Sequence, residues 1–83
     1  MSRMSEGELM GIFAEILEVD PGILSEQSSP ESVRGWDSAK SMEIVISIEE
    51  ALSLEFSAGE LAEMTSIGAI KQILTRRGVV IPE

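Results

Sequence analysis

Gly35-Trp36-Asp37-Ser38-Ala39-Lys40-Ser41-Met42-Glu43-Ile44-Val45-Ile46-Ser47-Ile48-Glu49-Glu50 reads as one helix with a capped start. Asp37 is a good N-cap residue, because its carboxylate can accept from the free backbone N–H groups of the first turn. Gly35 lies two residues earlier, where the chain must bend into the helix. Ser38 then takes the first helical position, with its hydroxyl outward, beside the positive end of the helix dipole. An anion attached there would sit where helix N-termini favour anions. At about 100° per residue, Ile44, Val45, Ile48 and Leu52 fall on one side and predict the buried stripe of a helix over about 38–52. Ser41 falls on that stripe, and Ser47 lies mid-helix with no special field. Ser38 alone combines exposure with the helix N-terminus.

Met42 and Ile46, one turn apart, point off the stripe among Glu43, Glu49 and Glu50. Single exposed apolar residues are ordinary. An apolar pair ringed by carboxylates also suits a partner's groove edged with arginines, and we favour that reading.

The stretch resembles the modification site of carrier proteins, the acyl, peptidyl and related carriers. These bear 4′-phosphopantetheine through a phosphodiester on the serine of an Asp-Ser-Leu motif. Here the motif reads Asp37-Ser38-Ala39, so its third position departs. Met42-Glu43-Ile44-Val45-Ile46 and Ile48-Glu49-Glu50 follow the family's apolar and acidic pattern. So do Leu54-Glu55-Phe56-Ser57 and Thr65-Ser66-Ile67, without a gap. The resemblance covers about residues 5–75.

The bulk composition narrows the classes of function independently. A chain of 83 residues makes one small domain, 1–83, that buries only roughly 60% of its surface on folding. Fifteen acids against six bases give a net charge of −9. Nucleic acid and anionic membranes are therefore poor partners, and a protein with a basic patch is a better one. From Asp37 to Glu63 there are seven acids and one base, Lys40. Neither histidine nor cysteine is present, which excludes Ser-His triads, cysteine nucleophiles and most zinc sites. The absence of cysteine suits a reducing cytosol. No apolar run predicts a membrane span or a signal peptide. An EF-hand is excluded because no Asp-x-Asp-x-Asp-Gly-type run occurs.

Before the central helix, Ser5-Glu6-Gly7-Glu8 predicts a capping box, flanked by Met4 and Leu9 as a hydrophobic staple. Leu9, Ile12, Phe13, Ile16 and Leu17 follow as one apolar stripe. Asp20-Pro21-Gly22 predicts the end of this first helix. Residues 20–36 read as a long loop, with Ile23, Leu24 and Val33 as anchors and a single turn possible at Ser29-Pro30-Glu31. Trp36 reads as core filler or a lid over the start of the helix, the alternative being contact with a prosthetic arm or a partner.

After the central helix, Leu54 and Phe56 are expected to turn inward from a short extended link. Ser57-Ala58-Gly59-Glu60 predicts a second capping box, with Phe56 and Leu61 as its staple. The helix it starts must be short, with Leu61 and Met64 buried, because Thr65-Ser66 signals a new start. The last helix is expected over about 67–77, with Arg76 and Arg77 at its C-terminal end and Gly78 as its stop. Val79-Val80-Ile81 either packs back across the bundle or frays.

The fold expected is all-α, a small four-helix bundle of acyl-carrier type with three main helices and a short third one. The resemblance implies a stand-alone, cytoplasmic, monomeric carrier that is not an enzyme. Ser38, next to Asp37, would hold 4′-phosphopantetheine, added from coenzyme A by a phosphopantetheinyl transferase. An acyl- or aminoacyl-loading ligase and downstream biosynthetic enzymes of fatty-acid, polyketide or nonribosomal-peptide type would be partners, docking basic patches on Met42, Glu43, Ile46, Glu49 and Glu50. No metal is expected to reside on the chain. Ala39 and Lys40 depart from the family's usual leucine and acidic or neutral residue. They fit a dedicated transferase, or else a degenerate carrier-like interaction module that is never modified.

Overall fold

The computed structural model describes residues 3–82. Four helices follow in order: α1 (Glu6–Leu17), α2 (Ser38–Leu52), α3 (Ala58–Ala62) and α4 (Ile67–Arg76), with a 3-10 turn at Pro21–Ile23. No strand occurs among the described residues; a single parallel bridge joins Arg3 and Val80. The architecture is the all-α bundle that the apolar periodicities predict.

Each long helix contributes its expected stripe to one core. Leu9 and Phe13 of α1, Ile44 and Ile48 of α2, and Ile67, Ile73 and Leu74 of α4 are the large side chains most fully buried. Two polar seams set the orientation of the helices. At one end the Met4 N–H donates to the Val80 carbonyl at 3.1 Å, and Met4 and Val79 are buried. The C-terminal segment therefore packs back across the start of α1. At the other end the loop after α1 caps α4. Ile67 N–H donates to the Ser28 carbonyl at 3.0 Å, and Gly68 N–H to that of Glu26 at 2.9 Å. A Cβ at Gly68 would lie 3.0 Å from the Glu26 carbonyl oxygen, so a side chain there would press on the loop and the close approach favours glycine.

Several local expectations are corrected. The helix α1 is stopped by Glu18, in the left-handed region at φ 56°, before Asp20-Pro21-Gly22 is reached. Asp20 instead caps the 3-10 turn by accepting from Gly22 N–H at 2.7 Å. The Ser5–Glu8 box is half formed. Glu8 N–H donates to Ser5 Oγ, but the Ser5 hydroxyl turns to the Glu8 carboxylate in place of the reciprocal bond. Leu24 and Val33 anchor the loop, whereas Ile23 is 64% exposed. The short helix α3 buries no residue fully; Leu61, Met64 and also Leu54 are half-buried. Its capping box is complete, with Ser57 N–H donating to Glu60 Oε1 at 2.8 Å and Glu60 N–H to Ser57 Oγ at 3.1 Å. The Ser57 backbone hydrogen bond, aided by the Arg77 charge and opposed by desolvation, holds the Glu60 carboxyl below the usual carboxylate range.

The two arginines at the end of α4 do more than face its dipole. Arg77 pairs with Glu60 at 2.7 Å and Arg76 with Glu63 at 3.2 Å, so α3 is held to α4 by charge where apolar burial is slight. The acidic region thus has more compensation than Lys40 alone provides. Asp37, Glu49, Glu50 and Glu55 keep no ion pair among the described residues. Residual repulsion among them predicts that Tm rises by a few degrees from low salt to roughly 0.3 M salt, as screening takes effect. A Tm independent of salt, with and without magnesium, would show that the acidic face carries no strain.

Candidate functional site

The start of α2 is built from three consecutive residues, each with a distinct task. Gly35 adopts φ 89°, a left-handed turn that other residues enter only with strain. Trp36 is buried at 4% exposure. Its ring packs on Phe13 of α1, with centroids 5.8 Å apart and planes at 54°. Asp37 is extended, and its Oδ1 accepts from Lys40 N–H at 2.9 Å. The Asp37 carbonyl then accepts the first helical hydrogen bond, from Ser41 N–H.

This arrangement distinguishes the helix's serines. Ser41 is half-buried and its Oγ accepts from Trp36 Nε1 at 2.8 Å. Ser47 is half-buried in mid-helix. Ser38 is exposed, as is Ala39. Among the described residues its hydroxyl has no hydrogen-bond partner, and the Ser38 and Ala39 N–H groups have none either. Those two N–H groups are the ones a helix leaves open to an anion. The Asp37 carboxylate caps the helix through Oδ1, and the chain has no histidine or cysteine to pair with Ser38. The site offers an accessible primary hydroxyl in a favourable field. A phosphodiester on Ser38 fits these residues without displacing any bond.

Further along α2, Met42 is 53% and Ile46 47% exposed. Glu43 and Glu50 are exposed beside them, Glu43 at 3.6 Å from Lys40. Glu49 differs from the expectation of a solvent-facing docking carboxylate. It is half-buried, and its Oε2 accepts from Phe56 N–H at 2.9 Å. Ser53, left-handed at φ 53°, turns the chain back so that the bond can form. Ile46, Glu49, Glu50, Ser53, Leu54 and Glu55 line an open groove of about 370 Å³ at this end of α2.

Two of these interactions escaped sequence reasoning. The Trp36–Ser41 bond had one available signal: a buried indole needs an acceptor, and Ser41 is the hydroxyl on the core stripe. The Glu49–Phe56 bond had none, since it depends on the turn at Ser53. No cluster of potential metal ligands occurs among the described residues.

Comparison with known proteins bears on the same region. Residues 7–74 match a protein family described as "Phosphopantetheine attachment site". Among solved structures, the chain is similar to a holo acyl carrier protein from Geobacter metallireducens, determined by solution NMR. The two share 25% identity at a TM-score of 0.73, over 82% of this chain and 78% of that one. No curated protein matches.

Proposed function

Since this chain belongs to the phosphopantetheine attachment-site family and its cofactor is covalent 4′-phosphopantetheine, we propose that Ser38 is the attachment residue and that the domain presents acyl or aminoacyl intermediates to partner enzymes. The observation that carries this reading is the contrast between Ser38 and Ser41. One hydroxyl is exposed and unpartnered at a helix N-terminus; the other is committed to Trp36.

The bound group supplies a thiol, on which cargo is held as a thioester. The chain's own residues do the rest by position. Asp37 fixes the first turn, Ser38 tethers, and the two open N–H groups favour the phosphodiester charge. Tethering raises the intermediate's effective concentration at each partner's site. In this reading the chain is a carrier, not a catalyst, and relies on a separate transferase that uses coenzyme A and magnesium. Ala39 and Lys40 favour a transferase adapted to this sequence. The alternative of an unmodified interaction module finds no support in either comparison. The test is intact mass: incubated with a phosphopantetheinyl transferase, coenzyme A and magnesium, the protein gains one phosphopantetheine mass. Failure with several transferases, and again after Ala39→Leu, would defeat the proposal.

Docking is proposed to use Met42 and Ile46 with Glu43 and Glu50 around them, and Glu49 through its second carboxylate oxygen. Glu50→Lys or Glu43→Lys is expected to slow association with a cognate enzyme on the order of tenfold at low salt, and less at high salt. Ile46→Ala is expected to weaken binding by about 1–2 kcal/mol with little salt dependence. Its stability should change by less than about 0.5 kcal/mol, as for an exposed site. Stopped-flow association over a range of salt checks these. Equal rates for wild type and both lysine variants would move the docking surface elsewhere.

A further inference from the structure

A second groove, of about 530 Å³, lies along the loop that leads into α2. Its apolar wall is Val19, Ile23 and Val33, and its polar lining is Gln27, Arg34 and the serines Ser25, Ser28 and Ser32. Ile23 is 64% exposed, although the chain spends a large apolar side chain there. No carboxylate lines the groove. Arg34 forms no ion pair among the described residues, while Lys40, Lys71, Arg76 and Arg77 all do. The Gln27 side chain accepts from Ser25 through its oxygen, and its amide N–H groups have no partner among the described residues.

The groove also adjoins the segment that leads to Ser38, since Val33 and Arg34 line it. Val19 follows the last turn of α1, and Phe13 in that helix packs on Trp36, two residues before Ser38. Arg34 is four residues before Ser38, so their Cα atoms lie within about 14 Å of each other. Gly35, turning at φ 89°, keeps the chain short of full extension.

Resting on the assignment of the arm to Ser38, we infer that the arm lies back along this loop groove instead of hanging free in solvent. The match is chemical. A phosphodiester carries one anion, and Arg34 is the one cation of the groove. The geminal dimethyl group of the arm finds Ile23, Val19 and Val33. Its amide carbonyls find the free Gln27 N–H groups. The groove beside Ile46 is a poor alternative. It is lined by Glu49, Glu50 and Glu55, which repel the phosphodiester. Docking of this kind holds the thiol end close to the loop face until a partner displaces it.

The test uses the modified full-length protein, its composition first verified by intact mass. Isotope-edited NMR is expected to show cross-peaks between the arm's methyl protons and the methyl groups of Ile23 and Val33. Amide shifts between unmodified and modified protein should reach Val19, Gln27 and Arg34. Ile23→Ser and Arg34→Gln should each lose the cross-peaks while gaining the same phosphopantetheine mass and keeping helical circular dichroism. Both side chains are exposed, so neither change removes core. A second readout comes from the lack of cysteine: the arm's thiol is the protein's only thiol. Its rate of reaction with a maleimide should rise in both variants relative to wild type. A fully modified wild type with no cross-peaks to the loop, or with cross-peaks to Ile46 and Leu54, overturns the inference and leaves the carrier assignment intact. Absence of the mass gain overturns both.

Discussion

Ser38→Ala is expected to gain no phosphopantetheine under conditions in which the wild type is fully converted. The effect is all-or-none, because the oxygen that forms the ester is removed. The substitution should cost little stability. Ser38 is exposed at the first helical position and its hydroxyl bonds nothing among the described residues. The cap that starts the helix belongs to Asp37. Ser41→Ala should behave in the opposite way. It keeps Ser38 and is modified, but it leaves the Trp36 indole N–H without its acceptor, which costs about 1–3 kcal/mol. The phosphodiester itself gains roughly 0.3–1 kcal/mol from the helix dipole at an exposed site. It also adds charge to a chain already at −9, so its formation has to be driven by coenzyme A and the transferase. Intact mass and circular dichroism of the two variants check this pair of expectations. A modified Ser38→Ala protein would place the attachment elsewhere. Should the wild type resist several transferases and Ala39→Leu restore modification, the obstacle lies at the motif's third position.

What could be read before the structure was whatever rests on short sequence spacing. The stripe Ile44, Val45, Ile48, Leu52 is buried as its period requires. The caps Ser5, Asp37, Ser57 and Ser66 all accept from the expected first-turn N–H. The outward direction of Met42 and Ile46 follows from the same geometry. The departures arise where distant segments compete for a residue. Glu49 looked like one more surface carboxylate until the chain folded back at Ser53 and offered it the Phe56 N–H. Arg76 and Arg77 looked like dipole partners, yet α3 lies within their reach and its carboxylates take them. Ile23 looked like an anchor because it is apolar, but Leu24 and Val33 fill the space beneath the loop. Gly68 carried no signal at all, since the tight fit there comes from the carbonyl of Glu26 in a loop distant in sequence.

The largest stability effect is expected at Phe13. Its side chain is fully buried, it lies at the centre of the α1 stripe, and it supports the Trp36 ring. Phe13→Ala is expected to cost about 3–5 kcal/mol, from lost transfer energy and the cavity left behind. A domain of this size has about 4–12 kcal/mol in total at 0.05–0.15 kcal/mol per residue. The variant should therefore be partly unfolded at moderate temperature, with Tm lowered by roughly 4–8 °C per kcal/mol. Phe13→Leu retains most of the volume and should cost far less. The consequence reaches the site, because Trp36 joins the α1 contact to the first turn of α2 through Ser41. Loss of the Phe13 ring should therefore loosen the start of α2 before the rest of the bundle. The sole tryptophan reports this directly. Urea titrations followed by Trp36 fluorescence and by circular dichroism should coincide for the wild type. For Phe13→Ala the fluorescence transition should come first. Coincident transitions with a loss under about 1 kcal/mol, the scale of an ordinary surface change, would show that the Phe13–Trp36 contact does not hold the start of α2.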